Sequence, residues 1–142
     1  MKLHAKIKGN VGEMAVAKDL MLKGYSVFYE LGDNSRIDVI AEKNNNLFKI
    51  QVKALTSRNG EYVELKGYKT GPNYTFRYDR NDIDVFAIYV LDLDKIVYLS
   101  SDFLEHQNTI TIRFKPTKNN QTKSCHLFKD YISFENALSD LE

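Results

Sequence analysis

The chain has 142 residues, 43% of them hydrophobic, and a formal net charge of +1. That length holds one domain with one mixed sheet and a few helices, with no room for a second catalytic domain. The single cysteine, Cys125, excludes an internal disulfide, no apolar run approaches the roughly 20 residues that span a bilayer, and near-neutral charge leaves any nucleic-acid contact to local clusters of Lys and Arg.

Apolar residues Val11, Met14, Ala15, Leu20, Met21 and Leu22 recur near helical spacing and predict a helix over about 10–23, closed by Gly24. Gly12, Asp19 and Lys23 fall on its polar side, and Glu13 projects between Ala17 and Leu20. Residues 25–31 read as a strand, followed by the turn-forming Gly32-Asp33-Asn34-Ser35. Segments 36–42 and 47–54 flank Lys43-Asn44-Asn45-Asn46 and read as a hairpin, because asparagine tolerates the left-handed backbone that a tight turn requires. The stretch 55–82 is rich in loop residues, with one strand expected at 62–65. Residues 84–91 are apolar enough for a buried central strand, and 96–100 pair with it. Ser101-Asp102 cap a short helix through His106, 109–114 alternate as a strand, and Ser133 caps a final helix to about Leu141. With no repeat and no linker, residues 1–142 read as a single domain. The opening Met-Lys-Leu-His-Ala-Lys lacks the apolar run of a secretory signal, so the expectation is an intracellular, cytoplasmic protein.

The chemistry lies in the hairpin. Side chains on a strand alternate faces, so Gln51 and Lys53 share one face while Phe48, Ile50 and Val52 take the other. With a two-residue Asn44-Asn45 loop, residues whose numbers sum to 89 pair, which sets Asp38 opposite Gln51. A four-residue loop sets it opposite Lys53, and a three-residue loop without a bulge separates it from both. A carboxylate and an amide oxygen on adjacent strands suit a hard cation such as Mg²⁺, which keeps several waters and takes few protein ligands. Lys53 beside such an ion is placed to orient or deprotonate a water and to offset charge on a phosphate. Glu13, if its helix packs beside the hairpin, can ligate the ion through water or hold Lys53.

Taken in order, Gly12-Glu13 opening a helix that ends in Lys23-Gly24-Tyr25, then Ser35-Arg36-Ile37-Asp38, then Ile50-Gln51-Val52-Lys53 resemble the PD-(D/E)XK nuclease superfamily. The resemblance spans about residues 8–100 and is strongest to the subgroup with a Gln-x-Lys motif, which includes intron-encoded homing endonucleases; archaeal Holliday-junction resolvases are similar relatives. Asp82-Ile83-Asp84-Val85-Phe86-Ala87-Ile88-Tyr89 resembles the strand that follows the motif. The implied fold is an α/β, restriction-endonuclease-like mixed sheet flanked by helices, of the α-β-β-β-α-β type. The implied site has Glu13, Asp38, Gln51 and Lys53 as catalytic residues, with Asp38, Gln51 and Glu13 holding Mg²⁺, for which Mn²⁺ can substitute. Two departures stand out: Ile37 replaces the proline that names the motif, and Gln51 replaces an acid. A nuclease is further implied to work on double-stranded DNA as a homodimer or homotetramer, associated with the nucleoid.

Other readings of the same residues stay open. Asp38 and Lys53 also read as a cross-strand ion pair on a solvated face, and Glu13 as a first-turn glutamate favoured by the helix dipole. For DNA contact the candidates are Arg58, Lys66, Lys69, Arg77 and Arg80, interleaved with Tyr62, Tyr68, Tyr74, Phe76 and Tyr78, since basic groups bind phosphates and aromatic rings stack on bases. A second basic stretch carries Lys115, Lys118, Lys123 and Lys129. The expected function is a site-selective double-strand DNA endonuclease of homing or restriction type. The alternatives are a structure-selective junction resolvase and a catalytically inactive DNA-binding module of the same fold.

Overall fold

The computed structural model describes residues 3–32, 34–66, 68–77, 81–105, 108–116 and 126–139. Helix α1 (Ala5–Leu22) starts about a turn earlier than expected, since Ala5, Lys6 and Lys8 are all good helix formers. Its end is a Schellman arrangement: Gly24 has φ +92°, its N–H donates to Met21 O, and Tyr25 N–H donates to Leu20 O. The buried face is Gly12, Val16, Ala17 and Leu20, whereas Met14, Met21 and Leu22 are exposed. Gly12 therefore does not belong to the polar side; it lies against the sheet.

Strand β1 (Ser26–Tyr29), β2 (Val39–Lys43) and β3 (Asn46–Leu55) form an antiparallel meander. Asn44 and Asn45 take φ of 54° and 67°, the signature of a two-residue type I′ turn. Val39 pairs with Ile50 and Lys43 with Asn46, which is the register whose numbers sum to 89. The next strands are β4 (Tyr62–Lys66), β5 (Tyr68–Gly71) and β6 (Tyr74–Arg77). Strand β7 (Val85–Val90) returns parallel to β3, and β8 (Lys95–Ser100) runs antiparallel to β7. The five strands stand in the order β1-β2-β3-β7-β8.

A parallel neighbour requires a long crossover. The resemblance implied a helical element there, but among the described residues between β3 and β7 no helix occurs, and the segment builds strands instead. Tyr62-Val63-Glu64-Leu65-Lys66 alternates with period two, burying Val63 and Leu65 and exposing Glu64 and Lys66, while Gly60, Gly71 and Pro72 break helical continuity. Strand β4 joins a second sheet with β9 (Thr109–Arg113) and β10 (His126–Leu127), ordered β10-β9-β4, and β5 and β6 form a separate hairpin. Short helix α2 (Asp102–Glu105), a 3-10 turn at Phe128–Asp130 and α3 (Phe134–Ser139) complete the order of the described residues; Ser133 Oγ accepts the Asn136 amide, as the sequence expects of a cap.

The five-stranded sheet is covered on both faces. On one, Ile50, Val52, Val39, Ala87 and Tyr98 pack with Val16 and Leu20 of α1 and Phe134 of α3. On the other, Phe86, Ile88, Val97 and Leu99 pack with Val63, Leu65, Ile110 and Ile112 of the second sheet. Double coverage explains why β7 reads as a continuous apolar run rather than an alternating one. Among the described residues no helix is long and apolar enough to cross a membrane.

Candidate active site

Asp38 lies one residue ahead of β2, where the ladder with β3 ends. Its N–H donates to Ile50 O at 2.9 Å, and its carboxylate Oδ2 then accepts the Val52 N–H at 2.8 Å, standing where a ladder carbonyl would. The same Oδ2 accepts Gln51 Nε2–H at 3.1 Å. A main-chain and a side-chain donor thus fix one carboxylate oxygen. The chain folds this way because the Asn44-Asn45 turn sets the register, which in turn sets Asp38 beside Gln51.

With Nε2 committed to Asp38, the amide oxygen of Gln51 is buried and has no hydrogen-bond partner among the described residues. A buried acceptor left unmatched costs about 1–3 kcal/mol, so a structure that keeps one has a use for it or a group to place there. Lys53 follows two residues on, on the same face and half-buried, beside Ile88 of β7. Neither Asp38 nor Lys53 is without further partners.

Glu13 comes from the opposite side of the sheet. A Cβ placed on Gly12 would stand 3.2 Å from Ala54 Cβ and 3.4 Å from Val52 Cγ1, so α1 runs almost in contact with β3 at that point. Glu13, the next residue, is half-buried and sits in mid-helix, since α1 opens eight residues earlier at Ala5; the first-turn reading therefore falls away. The Tyr29 hydroxyl donates to the Glu13 carbonyl at 3.4 Å, and burial, together with the Glu13 charge, raises the Tyr29 pKa. Tyr29 pairs with Val39, the neighbour of Asp38, so Glu13 sits toward the Asp38 end of the meander. Among the described residues no group of three or more His, Cys, Asp and Glu side chains gathers, so an oxygen site here depends on the amide of Gln51 beside carboxylate.

The approach to Asp38 is braced separately. Glu30 accepts the Asn34 and Ser35 amides at 3.0 and 2.9 Å and the Ser35 hydroxyl at 2.8 Å. The Ser35 hydroxyl and amide hold the Glu30 pKa below the usual glutamate value.

The predicted DNA-contact residues scatter by comparison. Arg58 is exposed in the turn before β4, and Lys66 is exposed at its end. Lys69 and Arg77 take backbone places on β5 and β6, opposite Phe76 and Tyr68. Arg80 and most of the second basic stretch lie outside the described residues. Sequence reading missed three positions that build the site. Gly12 sets the α1 to β3 approach; its signal is the spacing Gly12, Val16, Leu20 along one face. Val52 contributes its amide, which no side-chain pattern reveals. Asp84 accepts the Lys49 amide at 2.8 Å while its own N–H donates to Lys49 O, locking β7 to β3; its signal is a carboxylate just ahead of an apolar strand.

A helix packed on a three-stranded meander with a parallel fourth strand forms the frame that sets Asp38, just ahead of β2, beside Gln51 and Lys53 of β3. The chain belongs to the PD-(D/E)XK endonuclease family, whose model matches residues 3–134. It is 28% identical over 92 residues to Protein 5.3 of Escherichia phage T7, a match covering 65% of this chain and 77% of the phage protein. Its fold is similar to that of the bacterial homing endonuclease I-Ssp6803I, with a TM-score of 0.78 over 97% of this chain and 95% of that one, at 22% identity. Family and fold together support a nuclease, with the DNA substrate and divalent-metal use general to that family.

Proposed function

We propose that the protein is a Mg²⁺-dependent endonuclease that cuts double-stranded DNA at selected sites, acting as a symmetric oligomer. The observation that carries the reading is the buried Gln51 Oε1, without a hydrogen-bond partner among the described residues, beside the Asp38 carboxylate. Two oxygens of that chemistry fit a hard cation that retains most of its water, so Asp38 and Gln51 would hold it, with Glu13 in support. A divalent ion bound there neutralises phosphate oxygens and acidifies water. Asp38 is preset for its part, because the Val52 and Gln51 N–H groups fix one oxygen. Lys53 as its ammonium supplies positive charge to the phosphate and orients the attacking water, or as its free amine takes that water's proton. Mn²⁺, an ion of similar ligand preference, is expected to substitute.

The test is incubation with Mg²⁺ and a mixture of plasmid, linear duplex and four-way-junction DNA, alongside Lys53→Ala and Asp38→Ala. Cleavage of duplex at discrete positions, falling about 10²- to 10⁴-fold in both variants, supports the reading. Junction-only cleavage would instead make the protein a resolvase. Binding without cleavage, unaltered in both variants, would make it an inactive module.

A further inference from the structure

Beside the candidate active site lies a cavity of about 370 Å³ lined by Asn34, Ser35, Arg36, Ile37, Lys49, Asn81 and Asp82. Its two cations sit in a telling relation to the site residues. Lys49 precedes Gln51 by two on β3 and shares its face; Arg36 precedes Asp38 by two. Residues two apart on a strand are about 6.7 Å apart, so Lys49 stands one short step along the face from Gln51. We propose that Arg36 and Lys49 form a subsite for a backbone phosphate of the nucleic-acid strand, next to the one at Asp38 and Gln51.

Both cations are held in place. Arg36 Nη1 pairs with Asp82 Oδ2 at 3.0 Å, and Lys49 Nζ donates to Asn81 O at 2.5 Å. A guanidinium carries five donors in a planar fork, so an ion pair that fixes its plane orients it for the oxygens of a phosphate. The Lys49 main chain is fixed as well, through its amide to Asp84 Oδ2 and its carbonyl to the Asp84 amide. Two cations against Asp82 leave a net +1 on the lining, in a cavity that also offers amide and hydroxyl groups from Asn34, Asn81 and Ser35. That suits a singly charged diester rather than an apolar ligand. Two preset cations, Lys49 on β3 and Arg36 in the bend ahead of Asp38, stand beside the Asp38–Gln51 pair and favour a polynucleotide that spans both places over a free ion.

The subsite rests on the nuclease reading for its ligand, but its test reads binding rather than cleavage. Affinity for a short mixed-sequence duplex is measured with Ca²⁺ in place of Mg²⁺ over a range of salt, for wild type, Arg36→Gln, Lys49→Gln, Lys49→Arg and the remote, exposed Lys18→Gln. Each Gln variant is expected to weaken binding about tenfold and to reduce the slope of log affinity against log salt by about 1. Lys49→Arg and Lys18→Gln are expected to keep both. In cleavage assays the Gln variants raise KM with kcat little changed, in contrast to Lys53→Ala. Unaltered affinity and slope in both Gln variants would overturn the subsite and leave the nuclease standing. Absence of any duplex binding by the wild type would overturn both. Thermal unfolding of each variant separates loss of fold from loss of contact, and Lys49→Arg retains the charge if Lys49→Gln unfolds.

Discussion

At the scale of single residues, the proposed role of Gln51 is one that can be tested apart from its contribution to stability. Its amide oxygen is buried with no hydrogen-bond partner among the described residues, while its nitrogen donates to Asp38. Replacing it with leucine removes both the orphaned acceptor and a donor to Asp38 Oδ2; the Val52 amide remains. The lost hydrogen bond and the relieved desolvation are of similar size, about 1–3 kcal/mol each. Gln51→Leu is therefore expected to unfold, without metal, within about 1 kcal/mol of wild type in urea titrations, while DNA cleavage falls about 100-fold or more. A large loss of stability with cleavage retained would remove Gln51 from the site. Glu30 yields a pH prediction. Its folded pKa is lowered, first by the Ser35 hydroxyl and then by the Ser35 amide. A depressed carboxylate contributes stability above its unfolded value, near 4.3, and loses it as pH falls through the lower folded value. The brace on the loop before Asp38 is thus complete at neutral pH and fades below about pH 4. Ser35→Ala is expected to shift the Glu30 carboxyl titration upward toward the ordinary value, as followed by NMR.

At the scale of elements, the contact between α1 and β3 at Gly12 decides where Glu13 stands. A Cβ there meets Ala54 Cβ at 3.2 Å and Val52 Cγ1 at 3.4 Å, atoms fixed in a buried strand. Gly12→Ala gains up to about 1 kcal/mol of helix propensity and offsets it by crowding, so it is expected to change stability by less than about 1 kcal/mol. Gly12→Leu has no such room and is expected to destabilise by about 1–3 kcal/mol, lifting α1 and lowering cleavage with it. The same pair of elements shows what a sequence can reveal. The β2 to β3 register was legible, because two asparagines in left-handed conformations fix the turn and period-two alternation fixes the faces. From that register followed the meeting of Asp38, Gln51 and Lys53 on one side. The burial of Gly12 was not legible, since its contacts at Val52 and Tyr89 are some 40 and 77 positions away in sequence. Of the strand-built crossover only β4 was legible, as the strand expected at 62–65; β5 and β6 are four residues each, too short for periodicity to register amid glycines and a proline. Asp19, assigned to the polar side, in fact accepts the Tyr98 hydroxyl at 2.5 Å and pairs with Lys23 at 2.9 Å, tying α1 to β8.

At the scale of the whole molecule, the proposed function sets a geometric problem, since a double-strand cutter with a site at Asp38, Gln51 and Lys53 has two strands to reach. The two strands of a duplex run antiparallel and are related by local two-fold axes, so one site cuts one strand, and a two-fold pair of chains cuts both without either site reorienting. On the proposed function, duplex cleavage is then a property of the oligomer. Mixing settles the point more sharply than a measured mass. When wild type is co-folded with an excess of Asp38→Ala chain, most wild-type subunits pair with an inactive partner. Supercoiled plasmid is then expected to accumulate as nicked circles, whereas wild type alone yields linear product with little nicked intermediate. If the excess of inactive chain merely slows linearisation without accumulation of nicked circles, each chain cuts both strands by itself. The two-fold arrangement would then have to be abandoned, while the site at Asp38, Gln51 and Lys53 would be unaffected.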